Sequence, residues 1–340
     1  MKLDIDNQEV ICLSHYPDVS QLGYKIIQEL GRNEVEGRIT YLAQVCNSNQ
    51  QVVIKEFNIA ITSTDLSGLK TYEREIQILR QLNHPRIPRY IESFETTKNF
   101  YLVQEYKNAP SLGLRRSYNL EEIQKIAISI LEILVYLQQR DDSIIHRDIK
   151  PENILVDENL NAYLVDFDLA RLQGVKTALS SFASGTPGFM PPEEQLGYPL
   201  TQASDLYSLG VTLICLLSDT RSIDICKLID HKYRFNFPKP LTQVNPRLKC
   251  WLMKLVKLKC KHRYRNASLA LKALEKISVS CMHSNTDTLM AAIKLRQKTV
   301  VISLAIISII AAAATTVIIP LPGGIVNRME IMKSGVGSRE

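Results

Sequence analysis

The string Ile145-His146-Arg147-Asp148-Ile149-Lys150-Pro151-Glu152-Asn153-Ile154-Leu155 places a carboxylate, an ammonium and an amide within six residues. Leu164-Val165-Asp166-Phe167-Asp168-Leu169-Ala170-Arg171 follows, with Asp166 thirteen residues past Asn153. Such groups can take up a proton, neutralise an anion and offer the hard oxygens that a divalent cation demands. Upstream, Val52-Val53-Ile54-Lys55 sets a lysine in an apolar run, and Glu75 lies in Glu73-Arg74-Glu75-Ile76-Gln77-Ile78-Leu79. Each feature alone has a plainer explanation. A strand lysine usually snorkels to the surface, His-Arg-Asp is most often a solvated turn, and an isolated Asp can cap a helix.

The elements that must position these groups are legible from periodicity. Tyr24 to Leu30, Arg38 to Val45 and Gln51 to Phe57 are short β-branched or aromatic runs separated by Gly, Asn and Ser, as in an antiparallel meander. Spacings of three and four predict a helix over Leu69 to Leu82, stopped by Asn83-His84-Pro85. Strand signals over Ile87 to Phe94 and Phe100 to Tyr106 complete a five-stranded sheet with one helix. Helices are then predicted over Leu120 to Gln139, Ala203 to Leu217, Leu248 to Lys259 and Ala270 to Ile277. Residues 144 to 200, rich in Gly, Pro, Asp and Ser, are too long for an ordinary connection, so a functional segment is expected there.

Together these strings resemble the protein-kinase superfamily, specifically the Hanks-type (eukaryotic-like) serine/threonine kinases of bacterial type, over about residues 23 to 278. The resemblance implies an α+β, protein-kinase-like bilobal fold. Its N-lobe (23-108) would be a small antiparallel sheet with one helix, and its C-lobe (109-278) mainly helical. It implies that the γ-phosphate of Mg-ATP passes to protein Ser/Thr hydroxyls, with Mn²⁺ as an alternative to Mg²⁺. Asp148 would accept or orient the substrate proton, Lys150 would lie near the γ-phosphate, and Asn153 and Asp166 would bind the metal. Lys55 would contact the α and β phosphates and pair with Glu75, while Gln104, Glu105 and Tyr106 would belong to the hinge that receives adenine.

Downstream, Gly185-Thr186-Pro187-Gly188 resembles the peptide-docking loop, Glu193 would pair with Arg263, and Asp205 would hold the catalytic-loop backbone. Arg147 would receive a phosphate from the activation segment, with Thr177, Ser180, Ser181 and Ser184 as candidates.

The chain departs from the pattern in two places. In the phosphate-covering loop, Gly31-Arg32-Asn33-Glu34-Val35-Glu36-Gly37-Arg38, Gly31 sits in register and Gly37 is displaced by one residue. Asn33 tolerates a left-handed backbone, Glu34 and Glu36 would repel a triphosphate, and Arg32 and Arg38 would attract one. Asp168 stands where the family has Gly, which stiffens the metal-binding segment and adds a carboxylate. The alternative reading is a pseudokinase that acts as a nucleotide-binding or protein-binding scaffold.

Composition bounds the rest. With 340 residues, 45% hydrophobic and 22% charged, the chain is neither disordered nor collagen-like. The formal charge of +6 is spread without a basic stripe, so nucleic acid is not an expected partner. Seven cysteines without a Cys-x-x-Cys pair argue against a disulfide framework or a zinc site.

Residues 1-22 read as an N-terminal extension and 279-298 as a polar linker. Residues 299-319 are only Val, Ile, Leu, Ala, Ser and Thr and would span roughly 31 Å as a helix, so one transmembrane pass is expected, followed by a short tail, 320-340. Basic residues tie on the two sides of the span. Without a secretory leader, the kinase domain is expected in the cytoplasm, anchored at the cell inner membrane, and the Ala311 to Ala314 patch would permit a homodimer.

Overall fold

In the computed structural model, the described residues are 16–34, 37–59, 71–114, 116–173, 185–231, 234–235 and 244–278. The β-branched and aromatic runs pair as β1 (Tyr24–Asn33), β2 (Arg38–Val45), β3 (Gln51–Asn58), β4 (Tyr90–Glu95) and β5 (Asn99–Glu105). They form one antiparallel sheet in the order β1-β2-β3-β5-β4. Residues 52 to 57 of the central strand are buried without alternation because both faces are covered. On one face Val52 and Ile54 join Val19, Tyr24, Ala43, Tyr101 and Val103. On the other, Phe57 packs on Tyr72 and Phe100, whose rings stack at 3.9 Å. Tyr72 belongs to α1 (Thr71–Gln81), so Lys55, on the same face as Phe57, is carried under this helix and is 3% exposed.

The strand expected from Ile87 begins at Tyr90. Pro88 has no N–H to give to a ladder and restrains the residue before it.

The second lobe is built on α2 (Leu120–Gln138), whose Asn119 and Glu122 make a reciprocal capping box. Ile126, Ile130, Leu131, Leu134 and Leu137 of this helix are fully buried in the larger core. Two short pairs follow from four strands: β6 (Ile144–Ile145) with β9 (Arg171–Leu172), and β7 (Ile154–Val156) with β8 (Ala162–Leu164), while Ser111 bridges Leu155. The helices beyond are α3 (Pro192–Gln195), α4 (Ser204–Ser218), α5 (Pro246–Leu255) and α6 (Ala267–Leu274).

The last two helices both start and end earlier than the periodicity predicts, finishing at Leu255 and Leu274. α5 starts two residues early because Asn245 accepts from the Arg247 N–H and Pro246 takes the first position, where a missing N–H costs nothing. α6 starts three residues early because the Asn266 side chain caps the Leu269 N–H.

Among the described residues no helix is long and apolar enough to cross a membrane. Residues 299-319 lie outside the described residues, as do residues 1 to 15 and the activation-segment hydroxyls Thr177, Ser180, Ser181 and Ser184.

Candidate active site

The separation of thirteen positions from Asn153 to Asp166 is set by the β7–β8 hairpin. β7 begins immediately after Asn153, β8 ends two residues before Asp166, and Val165 N donates to Asn153 O at 3.0 Å. Both metal-ligand candidates are thereby held at the same open end. Beyond β8 the chain reverses through Asp166, whose φ is 68°, a left-handed conformation that costs a non-glycine residue about 1–3 kcal/mol unless its surroundings impose it.

Here the surroundings are ionic. Lys55 Nζ donates to Glu75 Oε1 at 2.5 Å and to Asp166 Oδ1 at 2.6 Å. Burial opposes the Lys55 charge, but Asp166 and Glu75 outweigh it and raise the pKa. Burial lifts the Asp166 carboxyl, and Arg38 and then Lys55 more than reverse it, holding it well below the usual carboxylate range. Burial pushes Glu75 up.

The loop between β6 and β7 is fixed from α4. The Asp205 carboxylate accepts from the His146 and Arg147 N–H groups, both at 2.9 Å. This compensates the left-handed backbone of Arg147, at φ 72°. Asp148 is nearly buried: Oδ2 accepts from Asn153 Nδ2 at 2.7 Å and faces Lys150 Nζ at 2.8 Å, and Oδ1 accepts from Thr186 Oγ1 at 3.0 Å. Lys150 also donates to Thr186 Oγ1 at 2.9 Å. Burial opposes the Lys150 charge, and Asp148 outweighs it. Glu193 and Arg263 form a bidentate pair, both bonds 2.7 Å, as their positions predict.

A cleft of about 480 Å³ lies between the lobes. Gly31, Asn33, Gln104, Glu105 and Tyr106 line it together with Lys55, Asn153 and Asp166. Glu75 is not on its wall and reaches it only through Lys55. Gly37 lines a separate depression with Glu56 and Asn99. Asp148 and Lys150 stand behind the wall, joined to it by Asn153.

Asn33 does not take the left-handed turn. It ends β1 as the partner of Arg38, and among the described residues of this turn the left-handed backbone falls on Gly37, at φ 61°. The first residue of the returning strand is Arg38. Arg32 also lines the cleft, but its guanidinium is paired with Glu29 at 2.7 Å. Arg38 instead enters the site, its Nη1 and Nη2 donating to both oxygens of Asp166 at 3.1 Å and Nη1 also to Asp168 Oδ2.

Two residues of this site were not among the candidates. Arg38 was expected only to attract phosphate, and Thr186 only to dock a peptide. A basic residue returning from the loop alongside a new acid at Asp168 is the signal that could have revealed the first. The second needed the three-dimensional return of the docking loop onto Asp148.

The donor set suits Mg²⁺. Asn153 spends its Nδ2 on Asp148, which leaves the amide oxygen for a cation, and Asp166 supplies a hard carboxylate. Among the described residues no three or more His, Cys, Asp or Glu are grouped to hold a metal unaided. A cation here would draw further ligands from phosphate and water.

Residues 24–268 match the protein kinase domain family. The chain belongs to the protein kinase family. It carries a kinase domain of the serine/threonine class, and its similarity to curated kinases runs the same way. It is 35% identical over 222 residues to serine/threonine-protein kinase B of Synechocystis sp., covering 60% of this chain and 37% of that one. It is 30% identical over 269 residues to serine/threonine-protein kinase D of the same organism, covering 75% and 52%. It is 30% identical over 275 residues to serine/threonine-protein kinase PknA of Nostoc sp., covering 74% and 47%. The chain thus spans between about a third and a half of the length of these kinases.

Proposed function

We propose that this chain is a membrane-anchored serine/threonine protein kinase that transfers the γ-phosphate of Mg-ATP to protein hydroxyls. The observation that carries the reading is the joining of two clusters through one hairpin: Lys55, Glu75 and Asp166 on the cleft side, and Asp148, Lys150 and Thr186 behind Asn153. Lys55 is held extended by two carboxylates, so its ammonium is preorganised toward a polyphosphate in the cleft. Asp148 offers carboxylate oxygens to a substrate hydroxyl and would accept its proton, with Asn153 and Lys150 fixing the carboxylate. Lys150 places a positive charge beside that point, to counter the charge that develops on transfer. Asn153 and Asp166 would hold Mg²⁺, or Mn²⁺, which when bound neutralises phosphate charge. Gln104, Glu105 and Tyr106 line the end of the cleft that would take adenine.

The anchor is residues 299-319, whose charge-free length of roughly 31 Å fits a bilayer core. ATP and free thiols are cytoplasmic, which favours a single pass through the inner membrane with the kinase domain inside.

The substrate class is tested by supplying the full chain with γ-labelled ATP and a generic basic protein, then analysing the labelled amino acids. Label on Ser and Thr is expected. Label confined to Tyr would contradict the assignment, and a nucleotide-induced thermal shift without transfer would favour a scaffold. For the anchor, Ile306→Arg with Ile310→Arg should move the chain from the membrane fraction to the soluble one; an unchanged distribution would refute residues 299-319 as the anchor.

A further inference from the structure

The two departures from the kinase pattern meet in space. Arg38 is the first residue of β2, returned toward the cleft by Gly37, and Asp168 lies two residues past the metal-ligand candidate. The Arg38 guanidinium spans Asp166, both of whose oxygens accept from it, and its Nη1 is shared with Asp168 Oδ2. Asp168 is fixed from its other oxygen, since Oδ1 accepts from the Leu169 N–H at 2.8 Å, and the residue is 4% exposed. The Arg38 side chain is itself 13% exposed. An arginine so placed keeps its charge under all ordinary conditions, and its planar fork matches a carboxylate with two bonds. The acid that replaces Gly in the metal-binding segment therefore has a specific task, which is to anchor Arg38 against Asp166.

We propose that Arg38, anchored by Asp168, is the resident cation of the metal site, so that a divalent metal must displace its guanidinium from Asp166 in order to bind. The inference rests on Asp166 being a metal ligand, as in the function proposed above. Its physical basis is that the carboxylate oxygens a cation would take are the atoms that Arg38 and Lys55 occupy. Two cations, Arg38 and Lys55, face three carboxylates, Glu75, Asp166 and Asp168, so removing one cation leaves the cluster more negative and open on one side. When the metal takes Asp166, Arg38 keeps its bond to Asp168 and remains beside the cleft that it lines. Asp168 is thus a positioning residue and Arg38 a determinant of metal affinity.

The test is a titration of the full chain with Mn²⁺ alone, without nucleotide or substrate, reading free Mn²⁺ by electron paramagnetic resonance. Arg38→Ala should bind Mn²⁺ on the order of tenfold more tightly than the unaltered chain, the effect of about 1.4 kcal/mol. Arg38→Lys, which keeps a charge but cannot span Asp166, should fall between the two and serves if Arg38→Ala does not fold. In an Asp166→Asn background the gain from Arg38→Ala should vanish. Unchanged or weaker Mn²⁺ binding in Arg38→Ala and Arg38→Lys, with binding lost in Asp166→Asn, would overturn the resident-cation proposal while leaving the metal assignment standing. Binding that ignores Asp166→Asn would overturn both. The readout does not involve phosphate transfer, so it tests the proposal independently of catalysis.

Discussion

Arg147 and Glu194 share two charge-assisted hydrogen bonds inside the second lobe, from Nε and Nη2 to Oε1 at 2.7 and 2.5 Å, with Arg147 Nη1 on the Leu169 carbonyl. Both residues are buried. Sequence resemblance assigns Arg147 a phosphate from the activation segment. In the structure a carboxylate of the chain's own α3 already holds that guanidinium.

Removing one partner of such a pair strands the other charge, so Glu194→Ala should cost about 3–5 kcal/mol in urea unfolding. The same geometry predicts that Ala at Thr177, Ser180, Ser181 and Ser184 together leaves phosphate transfer intact. Loss of transfer in that variant would show that Arg147 exchanges Glu194 for a phosphate.

The far end of the β7–β8 hairpin is closed by Asp157, which accepts from the N–H groups of Asn159 and Asn161 at 2.9 Å and from Asn161 Nδ2 and Tyr163 OH at 3.0 Å. Slight burial works against this carboxylate's charge, and the Asn161 bonds outweigh it and lower the pKa. A folded-state pKa below the unfolded value gives stability that is present above about pH 4 and lost as pH falls through the folded pKa. Asp157→Asn should therefore be less stable than the unaltered chain at pH 7, with the gap closing below about pH 4. A gap that does not change with pH would contradict the role given to the carboxylate.

Lys55→Met should reduce transfer on the order of 10²–10³-fold, because a preorganised cation aimed at developing phosphate charge is removed from a largely dry site. Glu75→Gln should cost less, since Glu75 acts through Lys55 and keeps an acceptor, and its loss should appear mainly in the KM for ATP. Steady-state kinetics with both variants would separate these effects. Equal losses in kcat would contradict the division of labour.

The lobes and the central strand were legible because short periodic runs map directly onto local structure, whereas the two- and three-residue strands β6 to β9 are too short to show a period and were read only as part of a functional segment. The α5 and α6 starts were missed because side-chain caps at Asn245 and Asn266, rather than apolar periodicity, set them. Pairings across many residues were legible only where a family pattern named both ends, as with Glu193 and Arg263. For Arg38 with Asp168 and Arg147 with Glu194 the resemblance names no pairing, and no local signal links residues separated by 130 and 47 positions.

The central claim is that this site transfers phosphate despite Asn33 and Asp168, and Asp148 tests it most directly. The full chain should label a basic protein from γ-labelled Mg-ATP or Mn-ATP, and Asp148→Asn, which keeps the shape but not the proton acceptor, should lower the rate on the order of 10²–10⁴-fold. Equal labelling by Asp148→Asn, or no labelling by the unaltered chain with either metal, would contradict the account.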